Sequence, residues 1–320
     1  MAKPCSARRS RGGESATSRR IFCYRAFGVV FAFLLLKITG ATFAAEKDPP
    51  VPPGRDPGGV AIAIIGPGID YTWSEISKHL ARDGEGEIIG WDFVDNDRRP
   101  FEQDVYTGGT KCPTNATLAE ELILEDAKNS RVVPVRVAST DSLQLGRAAA
   151  YVGQSPAKIA LVLSASTKAE DWQLFRKAAE HFSDVLFIAE PAKVQSEDGN
   201  RIRNVDTDPI YPVSLGLENV LSVTDMPPSQ MAAVGPASID VASSGHIIWN
   251  VEDSSCYSPT ALASTSIAAL AARILAEEPE LKGKALKARI LSLATPLPAG
   301  TDPISKSGLI ADPRKLFPAH

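Results

Sequence analysis

Histidine is scarce in this chain. Only His79, His181, His246 and the terminal His320 occur in 320 residues, and each reads as a surface or helix residue. No Cys/His grouping has the spacing of a zinc site, and neither a metal nor another cofactor is expected. Cysteine is as rare, with four in the chain, so the fold must rest on a hydrophobic core rather than on a disulfide framework. There is no internal repeat and no long low-complexity tract, which excludes solenoid architectures. Positive charge is missing beyond the N-terminus. Residues 1–45 hold eight Lys/Arg and one acid, whereas the remainder carries 26 Lys/Arg against 37 Asp/Glu. That acidic remainder repels phosphate backbones, which excludes nucleic acid as a partner. The string Gly66-Pro67-Gly68 opens like a dinucleotide fingerprint, but Tyr71 stands at the third glycine and removes that reading. Asp92, Asp95, Asn96 and Asp97 read as a solvated turn rather than a calcium loop.

What is present begins with an export signal over residues 1–45. A basic stretch ending at Arg25 precedes an apolar run from Ala26 to Leu36, followed by small residues up to Ala45. The run is too short for a comfortable membrane span, so membrane attachment is expected only if the signal stays uncleaved. The expected location is periplasmic or secreted. Residues 46–59 form a Pro/Gly-rich segment, with five prolines and three glycines between Lys47 and Gly59. It reads as an extended linker.

From Val60 onward, short apolar runs alternate with amphipathic segments. The strand candidates are Val60–Ile65, Ile88–Val94, Val132–Val137, Ile159–Leu163, Val185–Ala189, Val220–Val223 and Ile239–Ala242. The helix candidates are Ser74–Leu80, Thr117–Ala127, Ser142–Tyr151, Glu170–Phe182, Ala261–Glu277 and Lys282–Ala294. That alternation predicts one α/β domain over residues 60–317, with a mainly parallel sheet and helices on both faces.

Six strings then occur in a telling order. They are Val60-Ala61-Ile62-Ala63-Ile64-Ile65 with Gly68-Ile69-Asp70, Gly90-Trp91-Asp92-Phe93-Val94-Asp95-Asn96-Asp97, and Val133-Pro134-Val135-Arg136-Val137. Tyr211-Pro212 with Asn219-Val220-Leu221-Ser222-Val223, Asp240-Val241-Ala242 with Gly245, and Gly308-Leu309-Ile310 complete the series. Together they resemble the subtilisin-like serine peptidases, the subtilases of peptidase family S8. The resemblance implies a three-layer α/β fold with a peptide cleft at the carboxyl ends of the strands. It also implies an Asp, His, Ser triad and an oxyanion Asn.

In this chain the residues at those positions differ from the family pattern. Gly66 stands at the aspartate, Thr114 at the histidine, Ala261 at the serine and Ala192 at the oxyanion asparagine. The competing register, with Ser266 as nucleophile, loses the match at Tyr257, at Ile267-Ala268-Ala269 and at Pro279. The expectation is therefore an exported, catalytically inactive homologue that binds a peptide or an exported protein. The alternative is an active serine-type endopeptidase using displaced residues, such as Ser266 or a reduced Cys112 or Cys256. The resemblance further implies a peptide groove walled by Ser164, Ala165 and Ser166, where Ser166 departs from the family's glycine. It places Cys112 and Cys256 near one cleft, either joined by a disulfide or as two separate thiols. Asn115-Ala116-Thr117 matches a glycosylation triplet, a pattern frequent by chance.

Overall fold

Val60–Gly66 is a run of seven residues with no polar side chain, and it forms the central strand β1. The computed structural model describes residues 48–102, 105–107, 110–138, 140–191, 202–228, 232–245 and 258–317. The expected export signal lies outside them. Strand β1 pairs in parallel with β5 (Ser130–Arg136) on one side and β6 (Ile159–Val162) on the other. Ile62 faces Val132 in one neighbour and Ile159 in the other. The sheet has eight strands in the order β12-β11-β9-β7-β6-β1-β5-β2. The others are β2 (Trp91–Asp92), β7 (Leu186–Ala189), β9 (Val220–Asp225), β11 (Val241–Ser243) and β12 (Leu309–Ile310). All neighbouring pairs in this sheet are parallel. Two small two-stranded sheets complete the strands: an antiparallel hairpin of β3 (Val105–Thr107) and β4 (Thr110–Cys112), and a parallel pair, β8 (Arg203–Asn204) with β10 (Ala233–Val234).

Both faces of β1 are covered, which is why it reads as a continuous apolar run rather than an alternating one. Ile62 and Ile64 pack with helix α2 (Asn115–Asp126) through Ala116, Ala119 and Ile123. The same layer holds α5 (Pro259–Glu277) and α6 (Gly283–Leu291). Ala61, Ala63 and Ile65 point to the opposite layer, built by α3 (Ser142–Gln154) and α4 (Gln173–His181). Glycines let α3 and α4 approach closely. A Cβ at Gly146 would lie 2.5 Å from Leu174 Cβ, and one at Gly153 would lie 2.1 Å from the Phe182 ring. Helix α5 is apolar and long enough to cross a membrane, but 89% of its most apolar 18-residue stretch is buried among the layers, so it is a core helix. It opens with Ser258, whose hydroxyl accepts from the Ala261 amide, and Pro259 in the first turn.

The expected helix Ser74–Leu80 ends early, as the single turn α1 (Ser74–Ser77). Beyond it the chain turns extended to join β5: the Val132 amide donates to His79 O and the Ala81 amide to Val132 O. Sheet pairing has overridden the helical spacing there. The expected strand Ile88–Val94 shrinks to β2 because the Asp92 carboxylate accepts from the Val94 and Asp95 amides and bends the chain. The expected helix Glu170–Phe182 is split into a 3-10 turn, Ala169–Trp172, and α4.

The Pro/Gly-rich segment is extended as expected, but it is bound to the domain rather than free. Pro49 O accepts from the Tyr71 hydroxyl, Pro52 O from the Arg82 guanidinium, and Val51 packs on the core. Asp56 accepts from the Arg82 amide and pairs with Arg131.

Arg136 ties the end of β5 to its surroundings. Its Nη1 lies 2.8 Å from Asp92 Oδ2 and 2.6 Å from Asp95 Oδ2, and its Nε donates to Pro67 O. Asp48, Asp92 and Asp95 bring carboxylate oxygens within 4.8 Å of one another, and the guanidinium is the cation bound to two of them. Asp92 is fully buried, so removing its partner leaves an uncompensated charge. Arg136→Met is expected to cost about 3 kcal/mol or more, read from urea unfolding midpoints at neutral pH.

Candidate functional site

In a parallel sheet the crevice for a ligand opens at the carboxyl ends of the strands. Gly66, Glu190, Asp225 and Ser243 stand at or just beyond those ends, on β1, β7, β9 and β11. Two helices begin against this edge. A Cβ at Gly66 would lie 3.8 Å from Ala116 Cβ, which places the end of β1 against the first turn of α2. Thr114 is the N-cap of α2 and accepts from the Thr117 amide at 3.2 Å. Thr117 Oγ1 in turn accepts from the Asp70 amide at 2.9 Å, fastening the loop after β1 to the same turn. This buried Thr117 belongs to the glycosylation triplet, and its hydroxyl is already engaged within the fold.

Ala261 lies in the first turn of α5, buried, beside the strand ends that α5 covers. Gly66, Thr114 and Ala261 thus bring to the carboxyl edge a bare backbone, a capping hydroxyl and a methyl group. None of these moves a proton near neutral pH. Ala192 lies outside the described residues. Ser266 is fully buried in the middle of α5, with its hydroxyl 2.8 Å from Ser243 Oγ and donating to Ala263 O. It plays a packing role there.

The expected groove wall follows β6. Ser166 is not open for strand addition, because its amide donates to Tyr211 O and its carbonyl accepts from the Tyr211 amide. Its hydroxyl donates to Asp171 and accepts from the Trp172 indole. The side chain at the family's glycine position is therefore built into the wall. Among the described residues, no backbone hydrogen bond engages Ser164 or Ala165. Cys112, at the end of β4, is fully buried. Cys256 lies outside the described residues.

The sequence reading assigned no role to Glu190, Asp225 and Thr260, yet they share this edge. Glu190 follows β7, is 3% exposed and has a carboxylate oxygen, Oε2, without a hydrogen-bond partner. Burial pushes its carboxyl up to about 7, the Thr260 hydroxyl opposes that rise by donating to it, and the Asp225 charge adds to it. Thr260 sits in the first turn of α5, next to Ala261, and its Oγ1 lies 2.8 Å from Ser258 Oγ. The signal was present in the string Phe187-Ile188-Ala189-Glu190, where an acid directly ends an apolar strand.

No family model and no curated protein sequence matches the chain. Solved structures do. MycP1 with its N-terminal propeptide removed is 17% identical over 81% of this chain and 90% of its own, with a TM-score of 0.56. The epidermin leader peptide processing serine protease of Staphylococcus aureus is 13% identical over 80% of this chain and 74% of its own, with a TM-score of 0.56. Fervidolysin of Fervidobacterium pennivorans, a keratinolytic enzyme related to subtilisin, is 15% identical over 83% of this chain and 44% of its own, again at 0.56. At these identities the likeness is one of architecture, and it establishes that the chain has the subtilisin-like α/β fold.

Proposed function

We propose that the chain is an exported, catalytically inactive homologue of the subtilisin-like peptidases that binds a peptide or an exported protein at the carboxyl edge of its sheet. The observation that carries this reading is the occupancy of that edge by Gly66, Thr114 and Ala261. Without a positioned base, a hydroxyl is a poor nucleophile at neutral pH. Loss of such a triad costs on the order of a millionfold in turnover. Peptide binding by strand addition needs only free backbone groups and pockets. In the expected wall Ser166 pairs with Tyr211 and Ser164 is buried, so the half-buried Ala165 is the part that supports this reading.

A disulfide between Cys112 and Cys256 belongs to the same proposal. Its support is that Cys112 is fully buried at the end of β4 and that Cys256 is the one other cysteine beyond the expected signal. Alkylating the unfolded chain from Glu46 onward, which holds only these two cysteines, is expected to add no mass without reductant; alkylation of both thiols would overturn the pairing.

One observation favours the second reading, a hydrolase with displaced residues. Ser258, Thr260 and Glu190 form a hydrogen-bonded series ending in an acid poised near neutrality. Against it, Thr260 is only 3% exposed, so its hydroxyl is withdrawn from any substrate, and binding remains the better reading. A fluorophosphonate serine probe offered to the chain from Glu46 onward is expected to leave it unlabelled while subtilisin reacts. Labelling of Ser258, or of any other serine, would replace the binding reading with the hydrolytic one.

Glu190 also makes stability depend on pH. Its carboxyl is raised from 4.5 to about 7 on folding, so the folded chain holds a proton that the unfolded chain releases. Stability therefore falls as pH rises from about 4.5 to 7 and levels off above, by a total of about 3 kcal/mol. Glu190→Gln is expected to match the parent near pH 4 and to exceed it by about that amount at pH 8, read from urea midpoints across the range.

A further inference from the structure

A second concave site lies away from the carboxyl edge. Thr114 opens α2 at that edge, whereas this pocket is lined by residues from the far end of α2 and from α1. With a rise of 1.5 Å per residue, Glu125 lies about 16 Å along the helix from Thr114. The pocket has a volume of about 680 Å³, within the range typical of small-ligand sites. Trp73, Ile76 and Leu124 supply its apolar surface, and Glu121, Glu125 and His79 are among its polar groups. His79 is fixed by donating from Nδ1 to Ser130 O at 3.0 Å.

The electrostatics of this pocket are unbalanced. Glu121 and Glu125 stand one helical turn apart on the same face, a like-charge arrangement that opposes the helix. Among the described residues neither has an ion-pair partner. Burial raises the Glu121 carboxyl above its ordinary value, and the Glu125 charge raises it further. Glu75 also lines the pocket but is already paired with Lys78 at 2.6 Å. Lys128, at the far end, is the lining cation among the described residues, and it forms no ion pair with either glutamate.

We propose that this pocket recognises an arginine side chain of a peptide or protein partner, independently of the carboxyl edge. Two carboxylates about 5–6 Å apart at Cβ suit a guanidinium, whose planar fork reaches two acceptors at once. The stem of the arginine lies against Ile76 and Leu124, and the guanidinium stacks on the Trp73 ring, which attracts a cation through its face. A lysine would attract both carboxylates but as a compact point charge, without the planar fork and the ring stacking of a guanidinium, so arginine is the better fit.

The test titrates the labelled chain with the peptide acetyl-Gly-Arg-Gly-amide, using the Trp73 indole N–H resonance as readout and Trp73→Phe to assign it. Saturable movement of that signal is expected. The citrulline peptide, isosteric but neutral, is expected to bind about tenfold or more weakly, and the double variant Glu121→Gln with Glu125→Gln to weaken arginine binding similarly. The substitution removes the repulsion between the two like charges, so that variant is expected to melt at or slightly above the parent. Equal binding of arginine and citrulline peptides, unchanged affinity in the double variant, or an unmoved Trp73 signal would each overturn the proposal. None of these outcomes depends on whether the carboxyl edge binds peptide, because the probe reports only on Trp73.

Discussion

The burial of β1 between two helical layers sets the position of everything at the carboxyl edge. Ile62 and Ile64 face the layer of α2, α5 and α6, while Ala61, Ala63 and Ile65 face α3 and α4. Each isoleucine taken fully out of water contributes roughly 1.5–3 kcal/mol. A slip of one residue would exchange the two faces, setting isoleucines where α3 and α4 accept alanines. The register is therefore strongly specified, and with it the place where the strand ends. Gly66 sits against the first turn of α2 because six apolar residues before it permit one alignment.

The same burial explains how far the sequence could be read. The long strands were legible as apolar runs bounded by turns, and α2, α3, α5 and α6 as spaced apolar faces, with ends within a few residues of those found. The misread stretches are those whose backbone partners lie far away in the chain. Residues after Lys78 follow helical spacing, but the sheet edge at Val132 claims them. The prolines of the leading segment carry no amide to donate, so nothing local marks them as bound. Their carbonyls are satisfied by Tyr71 and Arg82, which no pattern around residue 50 reveals.

The site was legible in outline and not in detail for a related reason. Gly66, Thr114 and Ala261 follow from ordered strings that locate the ends of strands and the starts of helices. Glu190 became noticeable only when β7 and β9 were seen side by side, because an acid after an apolar run looks like the start of a loop. Its proximity to Asp225 and Thr260 is a property of the parallel sheet, in which distant residues finish at one level. Ser166 is a similar case: its departure from glycine left the groove in doubt, and its hydroxyl and backbone turn out to be joined to Trp172, Asp171 and Tyr211.

The two outermost strands of the sheet, β2 and β12, are each two residues long. A strand that ends a sheet normally leaves a row of amides and carbonyls on which a second copy of the molecule can build. Here that row is cut to almost nothing on both sides, and the Arg136 guanidinium is anchored on the Asp92 side chain of β2. Among the described residues, the ends of the eight-stranded sheet thus give a neighbouring copy little on which to extend it. The long, flat, aggregation-prone ladder stays inside each molecule, where only its own helices reach it.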